Sequence, residues 1–471
     1  MNSTELFDAV VIGGGPGGVT AAIRLMGHGL TVALVEDRLV GGECHYWACN
    51  PTKTLIRPIE ILELAKAVPG VRENLTSQAV NVDAVLTKRD AIIDHLVDRD
   101  IVTGLEDAGI HVIRGRGRLA GDHTVVVNDN TQHERRLHAG HAVILATGTR
   151  PFVPDIDGLR SVTPWTNREL ATMTRVPART VVLGGGVVGV ESATILSGLG
   201  SEVTLLARGP SLLRGSEPFV GERVSRALQE RGVDVRCDTS VRSVTRSDSG
   251  RITVVTTTDS VLEADEILLA AGRSINTDDM GLETVGLRGG DFVAVDDHLT
   301  ATDVLGDWLY AIGDTTGRAL LSHLSQYHAG IVADVVASRV RGATLDAPGL
   351  SAQDKGRLPQ IIFTDPQVVE VGYTEAAARA AGFAVTTRSQ TYPGGLAELL
   401  ILRDGFEAEA KLVIDTDRDT LLGATFVGPN VAELVHGATV AVVGEVPLSV
   451  LRHAIAPHPS LSQIWNPLLA G

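Results

Sequence analysis

Apolar positions along this chain fall into short runs separated by glycine-rich or polar breaks. Asp8-Ala-Val-Val-Ile12 is a β-branched run, Val19–Met26 has the spacing of a helix, and Thr31–Glu36 reads as a second strand. The same order returns later: a strand over Thr180–Leu183, a turn at Gly184–Gly186, a helix over Val190–Leu199 and a strand over Glu202–Leu206. One strand–helix–strand unit is therefore used twice. Between the two, Val82–Gly109 reads as helical, and His111–Ile113, Thr124–Val127 and Ala142–Leu145 as strands. Past the second unit come strand signals at Val233–Val235, Ile252–Thr257 and Ile267–Leu269. A short apolar run, Leu309–Ile312, and a helix over Ser325–Val340 follow. A polar stretch with Pro and Gly, Ala343–Lys355, then leads into a third region from Leu358. Its strands are expected at Gln360–Phe363, Ala410–Ile414 and Leu422–Val427, and its helices at Glu375–Ala381 and Ala432–Val443. No short-period repeat appears.

Length adds that 471 residues suffice for about three domains. A net charge of −16 argues against a nucleic-acid or anionic-membrane surface but leaves room for a local basic site. The apolar runs are too short to span a bilayer, so no membrane insertion is expected. The first residues lack a basic segment followed by a long apolar one, so no signal peptide is read. Cysteine occurs only at 44, 49 and 237, which fits a reducing cytoplasm and makes the close pair a catalytic or metal-binding candidate.

The first glycine cluster, Gly13-Gly-Gly15-Pro-Gly-Gly18, joins strand to helix, and Glu36 ends the next strand 18 residues past Gly18. Glycines let backbone N–H groups approach a pyrophosphate, and an acid about 20 residues on can bind a ribose hydroxyl. A ligand-free tight turn is the competing reading. In the second cluster, Gly184-Gly-Gly186-Val-Val-Gly189, the acid is missing. Arg208 lies 19 residues past Gly189, and Arg214 follows. Cations there favour the 2′-phosphate of NADPH, with NADH as an alternative donor; the alternative is that both are solvated surface charges.

Directly after the first unit stands Gly41-Gly-Glu-Cys44-His-Tyr-Trp-Ala-Cys49-Asn-Pro-Thr-Lys53. With it the chain resembles the pyridine nucleotide–disulfide oxidoreductases: dihydrolipoamide dehydrogenase, glutathione reductase, mercuric reductase and soluble transhydrogenase. The resemblance covers nearly the whole chain. Ala146-Thr-Gly-Thr-Arg-Pro151 resembles the passage between that family's two nucleotide domains, and Ala271-Gly-Arg-Ser-Ile-Asn276 the way back. Tyr310-Ala-Ile-Gly-Asp314 resembles its flavin site, Phe363-Thr-Asp-Pro-Gln367 the start of its dimerisation domain, and His458-Pro459 its C-terminal catalytic motif.

The resemblance implies an α/β fold: two Rossmann-like dinucleotide-binding domains plus a C-terminal α+β dimerisation domain. The expected boundaries are an FAD-binding domain over 1–150 and 273–345, an NAD(P)H-binding domain over 151–272, and the interface domain over 346–471. It implies bound FAD, a pyridine nucleotide as donor, which the arginines make NADPH, and a homodimer; the cysteine usage adds a cytoplasmic location. By resemblance Cys49 is the thiol against the flavin and Cys44 the exposed interchange thiol. Lys53 sits by the flavin ring and pairs with Glu191. His458 of one subunit serves Cys44 of the other as acid–base. Gly117, Asp314, Ser322 and Gly272 join Gly13, Gly15, Gly18, Glu36, Lys53, Gly184, Gly186, Gly189, Arg208 and Arg214 as cofactor contacts. Zinc is the other reading of the cysteine pair, but no further Cys and no nearby His spacing completes a tetrahedral site. Cys237 reads as a buried hydrophobe.

Three departures bear on the acceptor. Disulfide-reducing members usually carry Glu five residues after the His; here Gln463 stands there. An amide can hold a tautomer but supplies no charge to an imidazolium. His45, Tyr46 and Trp47 are bulky where smaller residues are common. The chain's last residues lack the Cys pair of mercuric reductases, which counts against mercury reduction. The leading expectation is electron transfer from NADPH through FAD and the Cys44–Cys49 pair to a small-molecule disulfide. The alternatives are a quinone or other electrophile reduced directly at the flavin, or a flavin-binding redox sensor with little turnover.

Overall fold

The computed structural model describes residues 4–129, 133–347, 349–393 and 397–470. Pro348 of the expected linker and both chain ends lie outside that set. Two compact units emerge. The first joins Met1–Pro51, Asp90–Pro151 and Arg273–Gln353; the second joins Thr52–Arg89, Phe152–Gly272 and Asp354–Gly471.

In the first unit a parallel sheet runs in the order His111–Arg114, Val32–Glu36, Glu5–Ile12, Glu134–Leu145. The 12-residue strand Glu134–Leu145 forks. Its later half pairs in parallel with Leu309–Ala311, and its earlier half is antiparallel to Thr124–Asn128, which pairs with Arg116–Leu119. Helices Pro16–Gly27 and Ser322–Val340 cover one face through Ala21, Ala22, Leu25, Val332 and Val336. The first helix begins three residues before the apolar spacing suggests, because Pro16 occupies its first turn, where no N–H is needed. The expected helix over Val82–Gly109 is broken. Helices Val82–Ile92 and Arg99–Asp107 flank a turn in which Asp94, His95 and Leu96 all have positive φ.

The second unit holds two sheet systems. A four-stranded parallel sheet runs Asp234–Arg236, Glu202–Leu206, Arg179–Leu183, Glu266–Leu269, accompanied by an antiparallel sheet of Val241–Arg246, Ile252–Thr256 and Val261–Ala264. The C-terminal region is a five-stranded antiparallel sheet, Pro359–Ile362, Gln367–Gly372, Thr420–Gly428, Glu407–Asp415, Val385–Pro393, packed on helix Leu434–Val443. Lys411 of this sheet bonds Glu217, which precedes helix Pro218–Glu230 of the parallel-sheet segment, at 2.8 Å and Glu375 at 2.7 Å. No helix among the described residues is long and apolar enough to cross a membrane.

Candidate active site

The first glycine turn is shaped by close approach. Gly13 has φ +108°, and a Cβ there would stand 2.3 Å from Ala146 O; a Cβ on Gly18 would stand 1.8 Å from Gly13 O. Any larger residue would push the turn apart. Gly15 instead faces open space at the N-terminus of helix Pro16–Gly27, leaving bare N–H groups where an anion can sit. Glu36 closes the turn: its Oε2 accepts from Gly14 N–H at 2.6 Å and its Oε1 from Arg38 N–H at 2.8 Å. Burial pushes this carboxyl up to about 7 against the pull of those two N–H groups, with Asp37 adding repulsion. Beside Ala146, the Thr147 hydroxyl oxygen is buried with no hydrogen-bond partner among the described residues. An open cradle, an acid and an orphan hydroxyl fit a bound dinucleotide.

The second turn repeats this backbone geometry. Gly184 has φ +125° with Ala270 O 2.1 Å from its would-be Cβ, Gly189 closes on Gly184 O at 1.7 Å, and Gly186 faces open space. Strand register corrects one expectation. Val35 pairs with Ile12 as Leu206 pairs with Leu183, so the place of Glu36 falls to Ala207 rather than Arg208. Arg208 is the next residue and is exposed. Arg214 folds back across Gly209, where a Cβ would stand 2.5 Å from its Cδ. Both guanidinium groups thus sit by the strand end, and neither has an ion-pair partner among the described residues.

Asp314 follows Gly313, whose φ of +58° carries the chain close under Ser325. Thr149 Oγ1 donates to Asp314 Oδ2 at 2.5 Å, and Arg273 Nε donates to Thr149 Oγ1 at 2.6 Å. Burial raises the Asp314 carboxyl, opposed by Thr149 and Arg273. Arg273 also lies 3.8 Å from Glu43, one residue before Cys44. Thr149, Arg273 and Glu43 were not singled out from sequence as site residues; their motifs were visible, their meeting was not. Gly117 sits in strand Arg116–Leu119, where a Cβ would stand 3.0 Å from Val35 Cγ1 and 3.1 Å from Ile12 Cγ2, so close packing accounts for a small residue there. Gly272, at φ +121°, accepts Phe152 N–H through its carbonyl at 3.0 Å.

Cys44 lies in the short helix Gly42–Tyr46, and Cys49 is the first residue of the 19-residue helix Cys49–Ala67. Both side chains are of intermediate exposure. Cys49 Sγ is 3.4 Å from Ser322 Oγ. A helix N-terminus favours negative charge, which suits a thiolate at Cys49. Between the cysteines, His45 Nδ1 meets Asn50 Nδ2 at 3.0 Å and its Nε2 meets Asp94 Oδ2 at 3.0 Å. Among the described residues no cluster of three or more His, Cys, Asp or Glu is arranged to hold a metal ion. Cys237 is only partly buried; it packs on the second unit's core, and burial pushes its thiol up.

In the second unit Lys53 Nζ bonds Glu191 Oε2 at 2.7 Å. Glu191 is nearly buried, and its other oxygen accepts Phe363 N–H at 2.9 Å, while the Lys53 ammonium lies 4.9 Å from the Phe363 ring centre. Further along, Gln463 joins two groups. Its Oε1 accepts Ser460 N–H at 3.3 Å and its Nε2 meets His458 Nδ1 at 3.1 Å. Ser460 N–H can only donate, so the amide oxygen belongs there and the amide nitrogen faces His458. Nδ1 of His458 therefore accepts, and the ring proton sits on Nε2.

Comparison with known proteins agrees with this geometry. Residues 7–332 match the model of the pyridine nucleotide-disulphide oxidoreductases, and 358–468 that of their dimerisation domain. The chain is 32% identical to a dihydrolipoyl dehydrogenase of Chlorobaculum tepidum, over 97% of this chain and 95% of that protein. It is 28% identical to a mercuric reductase of Lysinibacillus sphaericus, over 97% of this chain and 81% of that one. Among solved structures it is similar to the HOCl-induced flavoprotein disulfide reductase RclA of Escherichia coli, with a TM-score of 0.81 and 25% identity over 98% of this chain and 99% of that one. With the two family models together spanning residues 7–332 and 358–468, and the two glycine turns and the C-terminal sheet in agreement, the chain belongs to the pyridine nucleotide–disulphide oxidoreductase family of FAD-dependent enzymes.

Proposed function

We propose that this enzyme oxidises NADPH and delivers two electrons through FAD and the Cys44–Cys49 pair to a small disulfide. Cys49, at a helix N-terminus beside Ser322, carries that reading. Gly13, Gly15, Gly18, Glu36 and Asp314 would hold FAD, with Gly117, Ser322 and Gly272 assigned by resemblance; Gly184, Gly186, Gly189, Arg208 and Arg214 would hold NADPH. Bound FAD would supply the two-electron exchange between the nicotinamide and the disulfide. Ala207 in place of the ribose-binding acid removes a repulsive charge from the 2′-phosphate, and Arg208 and Arg214 add attractive ones. Lys53, fixed by Glu191, would present a positive charge to the flavin. Cys44 would exchange with the substrate disulfide, and His458 would hydrogen-bond the thiol set free. A homodimer brings His458 to the partner's Cys44. Val440, Val443, Val450 and Ile455, exposed in the C-terminal region, supply an apolar face for it.

One observation favours a second reading. With Nδ1 accepting from Gln463, neutral His458 carries its proton on Nε2 and has no free lone pair to act as a base. An acceptor reduced directly at the flavin, such as a quinone, needs no such base. Cys44→Ser separates the two. Disulfide reduction lost with quinone reduction kept supports the pair as the substrate-facing centre for disulfides. Loss of neither assigns turnover to the flavin.

A further inference from the structure

Each cysteine of the redox loop is followed by a residue that joins it to the other side. His45 follows Cys44, Asn50 follows Cys49, and His45 Nδ1 and Asn50 Nδ2 lie 3.0 Å apart. The Asn amide nitrogen can only donate, so Nδ1 accepts, and the proton on Nε2 is directed at Asp94 Oδ2, 3.0 Å away. Asp94 is presented by the turn whose residues Asp94, His95 and Leu96 have φ of 47°, 50° and 60°, a left-handed run that L side chains rarely adopt. Tyr46 packs edge-on against the His45 ring at 4.4 Å and anchors through its hydroxyl on Val40 O. The imidazole is thus held on three sides.

We propose that Asp94, His45 and Asn50 form a noncovalent bracket that positions the redox loop and stabilises the Cys44–Cys49 disulfide relative to the dithiol. The inference rests on the reading of Cys44 and Cys49 as a redox couple. The bracket and the disulfide cross-link the same five-residue span, one residue apart. When the disulfide is closed, the span is already ordered and the bracket forms without further loss of chain freedom. When the two sulfurs take up two electrons and two protons, the S–S bond is lost and the bracket alone resists opening. Two constraints on one loop are cooperative, and by linkage each strengthens the other by the same factor. A single hydrogen bond sets the scale at about two- to tenfold in the disulfide–dithiol equilibrium. His45, Asn50 and Asp94 act here through the loop, as positioning residues.

The test uses the flavin-loaded enzyme and its His45→Ala, Asn50→Ala, Asp94→Asn and His45→Ala/Asn50→Ala variants. Each is equilibrated against reduced and oxidised dithiothreitol, quenched by alkylation, and read by mass spectrometry as the fraction of Cys44–Cys49 disulfide. The expected result is a shift toward dithiol of about two- to tenfold for each single variant, where tenfold reads as about 30 mV. The double variant should shift no further than the larger single one, because both break the same bond. Unchanged equilibria, or additive shifts in the double variant, overturn the bracket. If His45→Ala loses flavin, Asn50→Ala and Asp94→Asn decide the matter, since both alter exposed side chains and leave the ring in place. A parent enzyme with no reversible Cys44–Cys49 couple overturns the redox reading itself and the bracket with it, an outcome distinct from a couple that fails to respond.

Discussion

Glu36→Gln should stabilise the flavin-free protein at neutral pH while weakening its hold on FAD. Burial lifts the Glu36 carboxyl from 4.5 to about 7. In the unfolded chain it ionises near its ordinary value, so between about pH 4.5 and 7 the folded state binds more protons than the unfolded one. Stability therefore falls as pH rises through that window, and the loss is complete above it. At about 1.36 kcal/mol per pH unit, the penalty reaches about 3 kcal/mol. Glutamine cannot ionise and removes it. It has one acceptor where the carboxylate uses two, for Gly14 and Arg38, and losing one such bond costs about 1 kcal/mol. The net expectation is a gain of about 2 kcal/mol at pH 8 that shrinks to about zero near pH 5, where the ionisation penalty is still below about 1 kcal/mol. The assay is urea unfolding of flavin-free parent and variant at pH 5, 6, 7 and 8. FAD affinity, measured separately, should fall roughly ten- to a hundredfold, because a charge-assisted bond to the ribose is lost. A variant with the parent's pH slope, or less stable than the parent at pH 8, would refute the reasoning.

Arg208→Ala should lower the preference for NADPH over NADH by about ten- to a hundredfold in kcat/KM, and steady-state kinetics with both donors would show it. Gln463→Glu replaces an amide that donates to His458 Nδ1 with a carboxylate that accepts from it, turning the tautomer so that Nε2 can act as a base. Disulfide turnover should rise, within the roughly 10²–10⁴-fold range of acid–base assistance, with quinone turnover little changed; a fall in disulfide turnover would show that the amide is the working partner. Lys411→Met should destabilise the protein by about 3–5 kcal/mol, because Glu217, 3% exposed, is left buried without its cation. Adding Glu217→Gln should recover part of that loss in a denaturant melt.

The glycine turns were legible because their geometry admits little else: Gly13, Gly18, Gly184 and Gly189 each meet a backbone oxygen that a Cβ would strike. The strands flanking them were legible from β-branched runs such as Val10-Val-Ile12. Strands Gln367–Gly372 and Val385–Pro393 were not; the second alternates weakly among polar residues. The break at Asp94–Leu96 carries no Gly or Pro to announce it. Arg208 was placed one residue off because counting from a glycine ignores strand register, which assigns Ala207 to the acid's place. The contacts of the site span long separations: Thr149 meets Asp314 across 165 residues, and Cys49 meets Ser322 across 273. Spacing along a chain cannot display such pairs; only the folded sheet brings them together.

Whether Cys49 is the thiol facing the flavin, as proposed, is read from the absorption spectrum of the two-electron-reduced enzyme. A thiolate against an oxidised flavin gives a long-wavelength charge-transfer band. That band is expected in the parent, should persist in Cys44→Ser without added reductant, and should be absent in Cys49→Ser with FAD still bound. A band that survives Cys49→Ser would contradict the assignment of the cysteine pair.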